Sequence, residues 1–172
     1  MAVLYDGGNN GDRMLKQKNS FIARGGIWVL AQIPLMLAVL AVPLGFGSGH
    51  LVPAGMLSMA GMMLTVSGFF LAVWALRSLG DALTPFPQPL DGATLNRRGP
   101  YRWMRHPIYS GVMLAGFGWA LWWLSVAGAI CALVLSVFFD RKAAHEEIWL
   151  RQKYPDYSGY ARRVKKFIPG VY

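Results

Sequence analysis

HPIYSGVMLAGFGWALWWLSVAGAICALVLSVFF, residues 106–139, holds no Asp, Glu, Lys or Arg, and the way it crosses an apolar medium decides the fold. As one straight helix at ~1.5 Å per residue it would run about 50 Å, against a hydrocarbon core about 30 Å thick. It would also put Arg105 and Arg141, which bracket it, on opposite sides of a bilayer. A hairpin near residues 122–128 instead returns the chain to the side it left. Trp119, Trp122 and Trp123 then fall at the far interface, where indoles are enriched. Each arm is short for a crossing, so tilt or local thinning of the bilayer is expected.

The absence of charge recurs over residues 25–76. Of the 172 residues 55% are hydrophobic and 15% charged, well below the roughly 25% charged residues of soluble domains. Mean hydropathy is +0.36. The 17 Lys and Arg fall within 13–24, 77–105 and 141–166. A net charge of +9 is therefore read as the basic cytoplasmic side of a membrane protein facing anionic lipid, not as a nucleic-acid surface.

Two further helices, 25–46 and 51–76, join at GFGSGH, and Pro34 and Pro43 are expected to kink the first. That first apolar run is too long for a signal-peptide core and lacks a small-x-small cleavage site, so it is read as retained. With 107–123 and 126–139 the expectation is an all-α, polytopic integral membrane protein of about four transmembrane helices. It forms one domain over 1–172 with both termini cytoplasmic, and a bacterial inner membrane is the expected compartment. Residues 1–20 read as a flexible lead-in, 77–107 as one long loop held extended by PFPQP, and 140–163 as a helix that breaks at YPDYSGY. Cys131, inside an apolar run, is the single cysteine and forms no disulfide framework.

Two short stretches concentrate the chemistry. In GPYRWMRHPIYSG, 99–111, Pro107 suits the first turn of a helix and puts His106 at or beside its N-cap. Free N–H groups there, with Arg102 and Arg105 nearby, would receive a carboxylate or phosphate. The same arginines also satisfy the basic-side rule, and His106 could merely cap. In AAHEEIWL, 143–150, Glu146 and Glu147 stand just past the apolar run. Lys142 and Glu146 are four apart and could simply pair on one helix face. GGNNG and GFGSG are turns, since neither lies between a strand and a helix. His50, His106 and His145 are scattered, so no metal set is expected, and no Ser–His–acid arrangement suggests a hydrolase.

Taken with YPDYSGYARRVKKFIP, these motifs make the chain resemble the isoprenylcysteine carboxyl methyltransferase family and the related phospholipid N-methyltransferases over about residues 81–170. The resemblance implies S-adenosylmethionine as cofactor, in a cytoplasmic pocket roofed by the 77–107 loop and the C-terminal helix. It implies cofactor contacts from Gln88, Ala93, Thr94, Leu95, Asn96, Tyr101, Arg105, His106, Pro107, Ile108, Tyr109 and Glu146, with Tyr157, Tyr160 and Arg163 on the tail. The implied catalytic group is Glu146, Glu147 and Lys142, Glu147 being the proton acceptor if the nucleophile is an amine. Tyr109 or Trp149 could face the sulfonium. Where the carboxyl methyltransferases carry Arg four residues before the glutamate, this chain has Lys142, which keeps the charge but loses the two-pronged fork. That argues against a prenylcysteine carboxylate. The implied acceptor is a lipophilic small molecule or membrane lipid, entering sideways from the bilayer. Two other readings stand beside it: an NADPH-dependent reductase of the sterol-reductase type, which shares an RHP-x-Y element, and a non-catalytic membrane scaffold.

Overall fold

The computed structural model describes residues 21–22, 24–47, 55–80, 84, 86–88, 92 and 94–172, and among these lie five α-helices and one short 3-10 helix. They are α1 (Gly26–Phe46), α2 (Met56–Leu79), the 3-10 helix (Gly99–Arg102), α3 (Pro107–Trp122), α4 (Val126–Lys153) and α5 (Tyr157–Arg163). The described residues contain no strand, only an isolated parallel bridge between Met104 and Lys165. The expected lead-in over 1–20 and residues 48–54, which include the end of the GFGSGH turn, lie outside the described residues.

The hairpin forms where the length of the apolar run requires it. α3 closes at Trp122, Leu124 takes a left-handed φ of 49°, and Ser125 caps α4 by accepting a hydrogen bond from the Gly128 N–H at 3.0 Å. This turn is pinned to α1: Ser125 Oγ donates to the Phe46 carbonyl at 3.3 Å and Trp119 Nε1 to the Leu40 carbonyl at 3.0 Å. The three tryptophans cluster there, at the end of α3 away from the polar motifs. α4 continues past Phe139 without a break, so the apolar arm and the Glu-pair segment are one rigid rod.

α2 and α3 pack so closely that side chains are excluded from the seam. A Cβ built on Gly68 would lie 2.4 Å from the Ala115 nitrogen, and one on Gly111 would lie 2.6 Å from the Gly68 carbonyl. Gly61 and Gly118 repeat the arrangement one heptad away, each Cβ meeting the other helix's backbone at 2.4 Å. Small residues of this kind let helix backbones touch where no water is available to drive association.

α1 packs on α4 around Val39, Leu135 and Phe139. α1 and α2 are long and apolar enough to cross a membrane. Their outward faces, with Leu30, Ile33, Leu37 and Leu40 on α1 and Met63, Phe69 and Phe70 on α2, are exposed and suit lipid rather than water.

Candidate functional site

The RHP element is built by local constraints. Gly99 opens the 3-10 helix at φ 56°, and its bare Cα lies so near Ser78 that a Cβ would meet Oγ at 2.5 Å. Asn96 ties the same corner to the end of α2, donating to the Ser78 carbonyl at 2.5 Å while its Oδ1 accepts from the Arg98 N–H. His106 is the N-cap of α3, with Pro107 at the first helical position, as the sequence requires. The tail runs alongside: the N–H groups of Arg105 and His106 donate to the carbonyls of Lys165 and Lys166.

His106 is buried, and each ring nitrogen faces a carboxylate. Nδ1 lies 3.4 Å from Glu146 and Nε2 lies 3.2 Å from Glu147. Only an imidazolium carries a proton on both nitrogens. Burial pushes the imidazolium down, but the two glutamates more than offset this and raise its pKa above 6.5. Tyr109 donates its hydroxyl to Glu146, and its ring stacks on Phe139 at 4.5 Å between centroids. Glu147 also accepts from Arg105 Nε at 2.8 Å and from Arg151 at 3.3 Å. Burial alone would raise Glu147, but His106 and Arg105 hold it down to about 2. Arg105 then donates to the carbonyls of Ala161 and Val164, fastening the end of α5 to the start of α3.

A pH dependence follows, with a sign for each group. Glu147, depressed below 4.5, stabilises the fold fully above that value, and the contribution is lost as pH falls towards about 2. His106, raised above 6.5, contributes fully below 6.5 and progressively less as pH rises through its folded value. Thermal unfolding in detergent is expected to be highest between about pH 4.5 and 6.5 and to fall on both sides. His106→Gln should flatten the alkaline limb, and an alkaline limb unchanged in that variant would refute the imidazolium.

Beside this cluster lies a cavity of about 410 Å³, within the range of small-molecule sites. Its walls come from α1, the end of α2, the 84–96 loop, the start of α3, α4 and the tyrosines of α5. Of the residues singled out by sequence, Thr94, Leu95, Asn96, Tyr101, Arg105, His106, Ile108, Tyr109, Lys142, Glu146, Tyr157 and Tyr160 all line it. Pro107 is buried beneath the helix start, outside the lining. Gln88 is exposed and away from the lining, Ala93 lies outside the described residues, and Trp149 packs on His145.

One expected placement changes: Glu147 lines a second cleft and not the cavity, so it does not stand with Glu146 and Lys142 on the cavity wall. Both ring nitrogens of His106 are taken up by carboxylates. Sequence reasoning also missed Gln32 of α1, which accepts from Lys142 Nζ at 2.7 Å, and Tyr154, another lining residue. Lys142 is almost fully buried, and that burial lowers its pKa.

The family profile described as phospholipid methyltransferase matches residues 56–157, from the start of α2 to the start of α5. The chain belongs to the phospholipid methyltransferase family. The match takes in the glycine seam, the RHP element and both glutamates. Two rice proteins, from the indica and japonica subspecies of Oryza sativa and each named a probable protein-S-isoprenylcysteine O-methyltransferase, are 34% identical over 83 residues. That is 47% of this chain and 44% of either relative, so the chain matches less than half the length of those proteins. A cobalt-zinc-cadmium resistance protein, CzcN, of Cupriavidus metallidurans is 32% identical over 77 residues, 44% of this chain and 36% of that protein. The resemblance read from GPYRWMRHPIYSG and HEEIWL is borne out at the level of the family.

Proposed function

We propose that this member of the family transfers a methyl group from S-adenosylmethionine to a lipophilic, membrane-embedded acceptor at the cytoplasmic face. The observation that carries the reading is Glu146. It is the one carboxylate among the described lining residues, held by Tyr109 and His106 at the wall of a largely apolar cavity. A fixed carboxylate set beside the cations Arg105, His106 and Lys142 suits a ligand that carries charges of both signs. The Tyr157 hydroxyl also fits a ligand with hydrogen-bonding groups: it is buried and without a partner among the described residues, on the same lining.

When bound, S-adenosylmethionine supplies an electrophilic methyl group on a sulfonium. Glu146 would meet its ammonium or a ribose hydroxyl, and the 94–96 segment would contact it through backbone. Arg105 and the free N–H groups at the start of α3 would meet its carboxylate. Methyl transfer is an in-line displacement, so the residues act mainly by positioning and by excluding water. Lys142 and Gln32 form the polar pair at the α1 wall, where the acceptor's reacting group would be received. Four crossings, by α1, α2, α3 and the apolar part of α4, put every charged motif on one side.

The test is transfer of tritiated methyl from S-adenosylmethionine in membranes from cells expressing the full chain. Label in the organic extract, absent with Glu146→Gln, is the expected result. Organic-phase label no higher than in membranes without the protein would contradict the proposal.

A further inference from the structure

The cleft into which Glu147 faces has a volume of about 430 Å³ and is built from the end of α4, the end of α5 and the tail. Five cationic side chains line it, Arg105, Arg151, Arg162, Lys165 and Lys166, against the single carboxylate side chain of Glu147. Counting Asp140 as well, which holds Lys166 at 2.5 Å, leaves a surplus of three positive side-chain charges. We infer that this cleft binds the phosphate of an anionic phospholipid headgroup.

The cations are not equivalent. Arg105 and Lys166 form the floor, with side chains 13% and 11% exposed, fixed by carbonyls of Ala161, Val164 and Asp140. Arg162 and Lys165 stand exposed at the rim, and among the described residues their side chains make no hydrogen bond or ion pair. A rigid floor with uncommitted donors above it suits a phosphate oxygen array, which takes several charge-assisted bonds at once.

The phosphate is assigned to lipid by depth and by the apolar rim. With α4 crossing the bilayer up to Phe139, Asp140 to Glu147 rise about 1.5–12 Å beyond that point, the level of the headgroups. Beside the cations the tail exposes Ile168, Val171 and Tyr172 (54%, 71% and 55%), apolar groups that would enter the acyl boundary. Basic residues interleaved with exposed apolar ones are the pattern of an interfacial anchor. The inference depends on α4 spanning the membrane and not on methyl transfer, Arg105 being the one cation of the cleft that also borders the cavity.

The full chain, purified in detergent, is titrated with mixed micelles of phosphatidylglycerol or phosphatidylcholine, and separately with inorganic phosphate. Saturable phosphatidylglycerol binding, at least about tenfold tighter than phosphatidylcholine, is expected, and Arg162→Gln with Lys165→Gln should remove about tenfold of it. The exposed pair Arg77→Gln with Arg98→Gln, away from the cleft and of equal charge, should leave it intact. Equal losses in the two pairs, or none in the first, would overturn the site. Binding of inorganic phosphate without preference for phosphatidylglycerol would overturn the lipid assignment. Thermal unfolding confirms that both variants fold, and S-adenosylhomocysteine binding, read in the same samples, separates this result from the fate of the methyl-transfer reading.

Discussion

Glu146→Gln is expected to weaken S-adenosylhomocysteine binding by about ten- to a hundredfold while the protein stays folded. The substitution keeps shape and a hydrogen-bond acceptor for Tyr109, and removes only the charge. A hydrogen bond to a charged group is worth about 1.5–3 kcal/mol, and 1.4 kcal/mol is a factor of ten. The effect sits near the top of that range because the carboxylate is only 15% exposed and little screened by water. The fold is spared because His106 keeps Glu147 as its counter-ion. Calorimetric titration of both proteins measures this, and an unchanged affinity would remove Glu146 from the binding site.

Gly68→Leu has the largest expected effect on stability. Its Cβ alone would stand 2.4 Å from the Ala115 nitrogen and 2.5 Å from the Gly111 carbonyl, and both are backbone atoms with no rotamer to yield. The helices must separate, which forfeits close packing along Gly61, Gly111 and Gly118 as well. Overpacking ordinarily costs about 1–3 kcal/mol, and a seam without adjustable atoms belongs at or above the upper end. A fall in Tm of about 10 °C or more is expected in detergent. Gly45→Ala is the matched control, since a Cβ at that position on α1 meets nothing within 4 Å. A Gly68→Leu protein as stable as the Gly45→Ala protein would mean that α2 and α3 do not pack through these glycines.

The sequence made the hairpin legible because its argument was one of length. An apolar run of that size, flanked by arginines on both ends, has few ways to return to its side. The glycine seam left a trace, a seven-residue spacing in both 61–68 and 111–118, but which helix meets which is a matter of tertiary packing. The RHP element and the Glu pair were legible as a cluster, and the cavity gathers most of them. Their division of labour was harder to read. Neighbours on a helix point about 100° apart, so Glu146 and Glu147 were bound to serve different surfaces. What fixed which faced the cavity was His106, clamped between them from another helix. Gln32 and Tyr154 gave no local signal, because their importance comes only from what α1 and the α4–α5 junction are packed against.

The most direct test of the central claim is a calorimetric titration of the folded, detergent-purified chain with S-adenosylhomocysteine and, in parallel, with NADPH. Saturable binding of S-adenosylhomocysteine with no NADPH binding is the predicted result. Binding of NADPH alone would make the cavity a reductase site, and silence from both ligands would leave a scaffold in place of an enzyme.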